Sequence, residues 1–113
     1  MEREPVYPEQ PPDDLSVTAE DRAGGRVTLV HAVGMHARPA VKLTKLAKGF
    51  RARIALRVEG RAEWIDAKSV AKVMAMRAPC FSTIEFTATG ADARAAIGAL
   101  MALVANDFLD LDG

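Results

Sequence analysis

The stretch Gly34-Met35-His36-Ala37-Arg38-Pro39-Ala40 places an imidazole between an apolar strand-like run and the start of a helical pattern. Behind Pro39, the residues Ala40, Leu43, Leu46, Ala47 and Phe50 recur at helical spacing and describe one buried face. Proline is tolerated at a helix start, because the N–H it lacks would have no intrahelical partner there. His36 is thereby expected at about the N-cap, beside backbone N–H groups that point out of the helix end. Such an end attracts anions, since unpaired donors and the helix dipole both favour negative charge. Arg38 adds a fixed positive charge able to hold phosphate oxygens in a fork. A neutral imidazole beside an anion cradle is equipped to accept a phosphoryl group and pass it on. On residue chemistry alone, the same histidine also fits an ordinary cap or surface position.

The elements that must position this histidine follow from the hydrophobic pattern. Arg26 to Ala32 alternates as a first strand, with Val27, Leu29 and His31 on one face. His31 reads as decorating the strand end near the site without a chemical part. Gly34 supplies backbone freedom just before His36. The helix from about Arg38 to Gly49 carries Lys42, Lys45 and Lys48 away from its apolar stripe. These lysines fit either a solvated face or a charged approach for acidic partners. Arg53 to Val58 alternates again, and Glu59-Gly60 turns into a strand with Trp64 and Ile65, which predicts a hairpin. Trp64 is expected to be a partly exposed packing residue. Ser69 precedes a short helical pattern containing Val70, Val73 and Met74, the place of an N-cap. A loop, Arg77 to Phe81, leads to the last strand, Thr83 to Thr89. The longest helix, Ala91 to Phe108, sets Ala93, Ile97, Leu100, Val104 and Phe108 on one stripe, with Asp92 near its start suiting the dipole. Nothing in that helix looks chemical. Strand, helix, strand, strand, helix, strand, helix is the order of an α+β two-layer domain.

Composition narrows the function classes. A chain of 113 residues, 50% hydrophobic with mixed charge, is globular and of one-domain length. Zero net charge hides an asymmetry. Residues 1–25 hold seven acids and two bases, a net −5, whereas residues 26–113 hold thirteen bases and eight acids, a net +5. Residues 1–25, with Pro5, Pro8, Pro11, Pro12 and the Gly24-Gly25 pair, are expected to form a disordered acidic arm, and residues 110–113 a short tail. A basic domain without aromatic interleaving is a weak nucleic-acid signal, so acidic protein partners are expected and nucleic acid is not. Cys80 is the one cysteine and has no internal disulfide partner, which fits a reducing cytoplasm. It has no Cys or His companions nearby, so no metal site is expected. No stretch reaches the roughly 20 apolar residues of a transmembrane span, and no basic-then-apolar leader opens the chain, so neither membrane nor secretion is expected.

Gly34-Met35-His36-Ala37-Arg38-Pro39-Ala40 resembles the active-site signature of HPr, the histidine-containing phosphocarrier family of the bacterial phosphotransferase system, with its nitrogen-branch relatives (NPr). Asp66-Ala67-Lys68-Ser69-Val70-Ala71-Lys72-Val73-Met74 resembles that family's second stretch, around its regulatory serine. Ser82-Thr83-Ile84 and Thr89-Gly90-Ala91-Asp92-Ala93 are similar to its last strand and last helix start. The likeness spans about residues 26 to 109, the expected domain, in order. It departs at Ala71-Lys72, where many relatives carry Met-Gly, and at Phe81, where glycine is frequent.

This resemblance implies a two-layer open-faced sandwich, a four-stranded antiparallel sheet covered on one face by three helices. His36 would take a phosphoryl group on Nδ1 from phospho-enzyme I, charged by phosphoenolpyruvate, and pass it to an EIIA-type protein. Arg38 would act with it, and Ala37 and Arg38 would hold the phosphate. Ser69 would be the target of an HPr kinase/phosphorylase. No cofactor is implied, a monomer is expected, and the chain is a carrier intermediate, not a stand-alone enzyme. Sugar uptake and nitrogen-linked regulation both remain open as its branch. Two other readings stand beside this one. One is a regulatory binding module controlled through Ser69 with little phosphotransfer, and the other is a small basic nucleic-acid-binding domain.

Overall fold

A computed structural model of the chain describes residues 21–32 and 34–109. Its elements are β1 (Arg22–Thr28), α1 (Ala37–Lys48), β2 (Arg53–Val58), β3 (Ile65–Asp66), α2 (Val70–Ala75), β4 (Thr83–Thr89) and α3 (Ala93–Ala105). The four strands form one sheet in the order β1-β4-β2-β3, with every neighbouring pair antiparallel. α3 lies over β1 and β4, α1 packs against both α3 and α2, and α2 meets β3. The expected sandwich of sheet and three helices is the observed one.

Alternation decides which sheet face meets the helices. In β4, Ile84, Phe86 and Ala88 are buried while Thr83, Glu85, Thr87 and Thr89 are only half so. Ile54, Leu56 and Val58 of β2 join them from the neighbouring strand. From the helices, Leu43 of α1, Val73 of α2 and Leu100 of α3 are fully buried in the same cluster. Truncating a buried leucine of this kind to alanine costs about 2–5 kcal/mol. On the opposite face, Glu85 lies between Arg26 and Arg57 in register, and Arg57 Nε donates to its Oε1 at 2.5 Å. The Arg57 guanidinium also sits 4.4 Å from the centre of the Trp64 ring. Trp64 is buried, 8% exposed, where a partly exposed residue is expected from the sequence. The guanidinium covering its ring accounts for the difference.

Both ends of β1 and both ends of α3 differ from the sequence expectations. β1 begins at Arg22, so residues 22–25 are sheet and not the end of a disordered arm. They pair in register with β4 from Arg22↔Thr89 to Gly25↔Phe86. A Cβ on Gly25 would collide with Sδ of Met101 on α3, so this glycine permits a close helix–sheet approach instead of marking a linker. The remaining expected arm, residues 1–20, and the tail, residues 110–113, lie outside the described residues. β1 also stops at Thr28 and not Ala32, because its partner β4 begins at Thr83, opposite Thr28. The last helix spans Ala93–Ala105, shorter at both ends than the expected 91–108. Among the described residues no helix is long and apolar enough to cross a membrane.

Candidate functional site

His36 is held from both sides by its neighbours in the chain. On one side, Met35 is buried and its N–H donates to the Ala78 carbonyl at 2.8 Å. Gly34, at φ +77, packs against the same segment, and its N–H donates to the His31 carbonyl at 2.8 Å. On the other side, Pro39 and Ala40 are buried at the start of α1, and the Ala40 N–H donates to the His36 carbonyl at 2.9 Å. His36 itself has extended backbone at the N-cap of α1, its ring makes no capping bond, and it is solvent exposed. Ala37 and Arg38 open the helix, are exposed, and direct N–H groups outward that the helix ladder does not use. These unused N–H groups stand beside His36 at the start of α1.

A second histidine belongs to this site. His31, which reads from the sequence as having no chemical part, presents Nε2 3.2 Å from Nε2 of His36, with ring centres 5.2 Å apart. Its Nδ1 lies 2.8 Å from Oδ1 of Asp107. Asp107 comes from just beyond α3, where Asp107 and Phe108 both adopt left-handed backbone, at φ +58 and +61. Aspartate tolerates that region, but for phenylalanine it is a marked outlier, and each such L-residue costs about 1–2 kcal/mol. The strain is held by burial of Phe108, 3% exposed, whose ring meets His31 edge-on at 5.9 Å. Lys42 Nζ donates to the Phe108 carbonyl at 2.8 Å. Lys42 therefore ties α1 to the turn after α3 and is not only part of a solvated helix face. His31, His36, Arg38, Lys42, Asp107 and Phe108 line one recess of about 290 Å³.

Other sequence-marked residues fall elsewhere. Arg38 borders the recess, and among the described residues it forms no hydrogen bond or ion pair, so its guanidinium is available. Ser69 is the N-cap of α2, as its spacing predicts, and its Oγ accepts the Lys72 N–H at 3.2 Å. Phe81, at the position where relatives frequently have glycine, is 75% exposed at φ +71. Cys80 is a free, half-buried thiol. Asp107 is a site residue that the sequence does not single out, and His31 reads from it as near the site but without a chemical part. They are separated by 76 positions, and no periodicity links them.

The whole architecture can be compared with known proteins. A family profile described as "PTS HPr component phosphorylation site" matches residues 24–106. The chain belongs to the HPr family. Phosphocarrier protein HPr of Cupriavidus necator is 40% identical over 81 residues, covering 72% of this chain and 89% of that protein. Phosphocarrier protein NPr of Escherichia coli K12 is 37% identical over 82 residues, covering 73% and 90%. Among solved structures, an HPr from Bacillus anthracis is similar with a TM-score of 0.67 at 32% identity, covering 74% of this chain and 96% of that one. HPr-C-His from Thermoanaerobacter tengcongensis is similar with a TM-score of 0.71 at 26% identity, covering 79% and 99%. The HPr resemblance read from the two motifs therefore holds along the folded chain.

Proposed function

We propose that the chain is a phosphocarrier of the phosphoenolpyruvate-dependent phosphotransferase system. His36 takes a phosphoryl group on Nδ1 from phospho-enzyme I and hands it to an EIIA-type protein. The observation that carries this reading is an exposed imidazole held at the open N-terminus of α1, between buried Met35 and buried Pro39. Phosphoryl transfer asks little covalent work of the protein beyond its nucleophile, so positioning and charge stabilisation dominate. The outward N–H groups of Ala37 and Arg38 and the Arg38 guanidinium stabilise charge on the equatorial oxygens during in-line transfer. Nothing in this role needs a metal or cofactor, and one small domain acts as a carrier, not as a stand-alone enzyme. Lys45 and Lys48, exposed on α1, give the approach a positive field suited to acidic partners. We place the chain in the cytoplasm as a monomer, where its single thiol stays reduced.

Ser69 is proposed as the regulatory site for an HPr kinase/phosphorylase. A phosphate at this helix start is compatible with the fold, because it adds charge where unpaired N–H groups lie. Its effect would be added negative charge opposing acidic partners.

The test is incubation of the full chain with enzyme I and labelled phosphoenolpyruvate, followed by mass mapping. An acid-labile label on His36, absent from His36→Ala, is expected. Unchanged labelling of His36→Ala overturns the assignment. Acid-stable label confined to Ser69 would favour a regulatory binding module instead.

A further inference from the structure

We propose that His31 and Asp107 are positioning residues that set the tautomer of His36 and so direct its Nδ1 lone pair toward the phosphoryl donor. The inference rests on His36 being the phosphoryl acceptor. An ionised carboxylate can only accept hydrogen bonds, so the 2.8 Å contact puts a proton on Nδ1 of His31. In neutral His31 the other nitrogen, Nε2, is then an acceptor. That nitrogen stands 3.2 Å from Nε2 of His36, which must be the donor. His36 consequently carries its proton on Nε2 and leaves Nδ1 with a free electron pair. The nucleophilic atom is defined by a chain of two hydrogen bonds that begins beyond the end of α3.

The transfer step balances on these assignments. The Nδ1 pair of His36 forms the new nitrogen–phosphorus bond while the bond from phosphorus to the donor atom breaks, its electron pair leaving with the donor. No proton has to leave Nδ1 first. The ring becomes cationic as the bond forms, and its Nε2–H, held by His31, shares that charge along the line to Asp107. Return of the phosphoryl group reverses each movement. Arg38 and Lys42, the other charged groups on the recess, lie on α1 and supply the field for the phosphoryl oxygens.

The left-handed backbone at Asp107 and Phe108 is an independent sign of the same device. Two successive non-glycine residues at positive φ are an unusual way to leave a helix, and here they deliver the Asp107 carboxylate to His31 while Phe108 supports its ring.

Nitrogen NMR of the full chain tests the relay without any partner, because a protonated and a lone-pair ring nitrogen have widely separated shifts. In the wild type, Nδ1 of His36 is expected to show the lone-pair signature and Nε2 the protonated one. His31→Ala and Asp107→Asn are expected to move both His36 nitrogens toward averaged values. Asn retains tolerance of left-handed backbone, so Asp107→Asn removes the charge with little change to the turn. Both variants should also be phosphorylated by enzyme I more slowly, by about tenfold, the lower end of what losing a ring-orienting partner costs. His36 shifts and labelling rates unchanged in both variants overturn the relay. Absence of labelling in the wild type would instead overturn the phosphocarrier reading, leaving the nitrogen shifts to decide the tautomer.

Discussion

A Cβ placed on Gly34 would stand 2.5 Å from the carbonyl oxygen of Ala78, the oxygen that accepts the Met35 N–H at 2.8 Å. The backbone of residue 34 thus touches the loop after α2 with no room for a side chain, at φ +77. This contact fixes the residue preceding Met35 and so aims His36. Gly34→Ala is expected to lower stability by at least about 2 kcal/mol, from left-handed strain plus the clash. It should also slow phosphorylation of His36 by more than the loss of folded protein explains. Denaturant unfolding and single-turnover labelling of the same preparation check both parts.

Arg38→Ala should leave stability nearly unchanged, since the exposed side chain has no ion pair or hydrogen bond among the described residues. The rate of phosphoryl transfer should fall on the order of tenfold to a hundredfold, less than the roughly 10²–10³ that a donor in a water-excluded site supplies, because Arg38 is solvent exposed. Single-turnover transfer from enzyme I measures the rate, and a thermal melt measures the stability. A large drop in melting temperature would show that the guanidinium has a structural task instead.

Asp92 heads α3 without capping it. Its Oδ2 accepts the Arg51 N–H at 2.9 Å and its Oδ1 the Ala52 N–H at 2.8 Å, tying α3 to the connection between α1 and β2. The Arg51 hydrogen bond leads the causes that hold this carboxyl below its ordinary value, with desolvation opposing and the Ala52 bond assisting. A carboxyl with a lower value in the native state contributes stability above the unfolded aspartate range, about pH 3.9, and loses it as pH falls through the native value. Asp92→Asn should therefore lower the melting temperature at neutral pH. The gap from wild type should narrow as pH drops below about 4. Melts of both proteins across that range are the measurement.

Phe81 keeps left-handed backbone at φ +71 while exposing 75% of its surface, so little burial offsets the strain. Its N–H donates to the Leu29 carbonyl at 2.6 Å, a bond that glycine would retain. Relief of about 1–2 kcal/mol of left-handed strain, less the greater chain entropy of glycine, predicts that Phe81→Gly stabilises the domain by up to about 1 kcal/mol. Denaturant midpoints compare the two.

Local chemistry in the sequence was enough to locate His36 at a helix start, Arg38 beside it and Ser69 as a cap, because each depends on neighbours a few residues away. The same holds for β2, β4 and the buried stripe of α3, whose periodicities are short-range. Tertiary structure decided the rest. Gly24-Gly25 has the composition of a linker, and only the pairing of β1 with β4, with the Met101 side chain packed over Gly25, shows that it is a strand. His31, five positions before His36, and Asp107, 76 positions beyond His31, meet because α3 returns across β1 and its end turns left-handed over the site. No linear pattern encodes that meeting. Which nitrogen of His36 is free depends on it, since a hydrogen bond between distant residues exists only once the chain has folded.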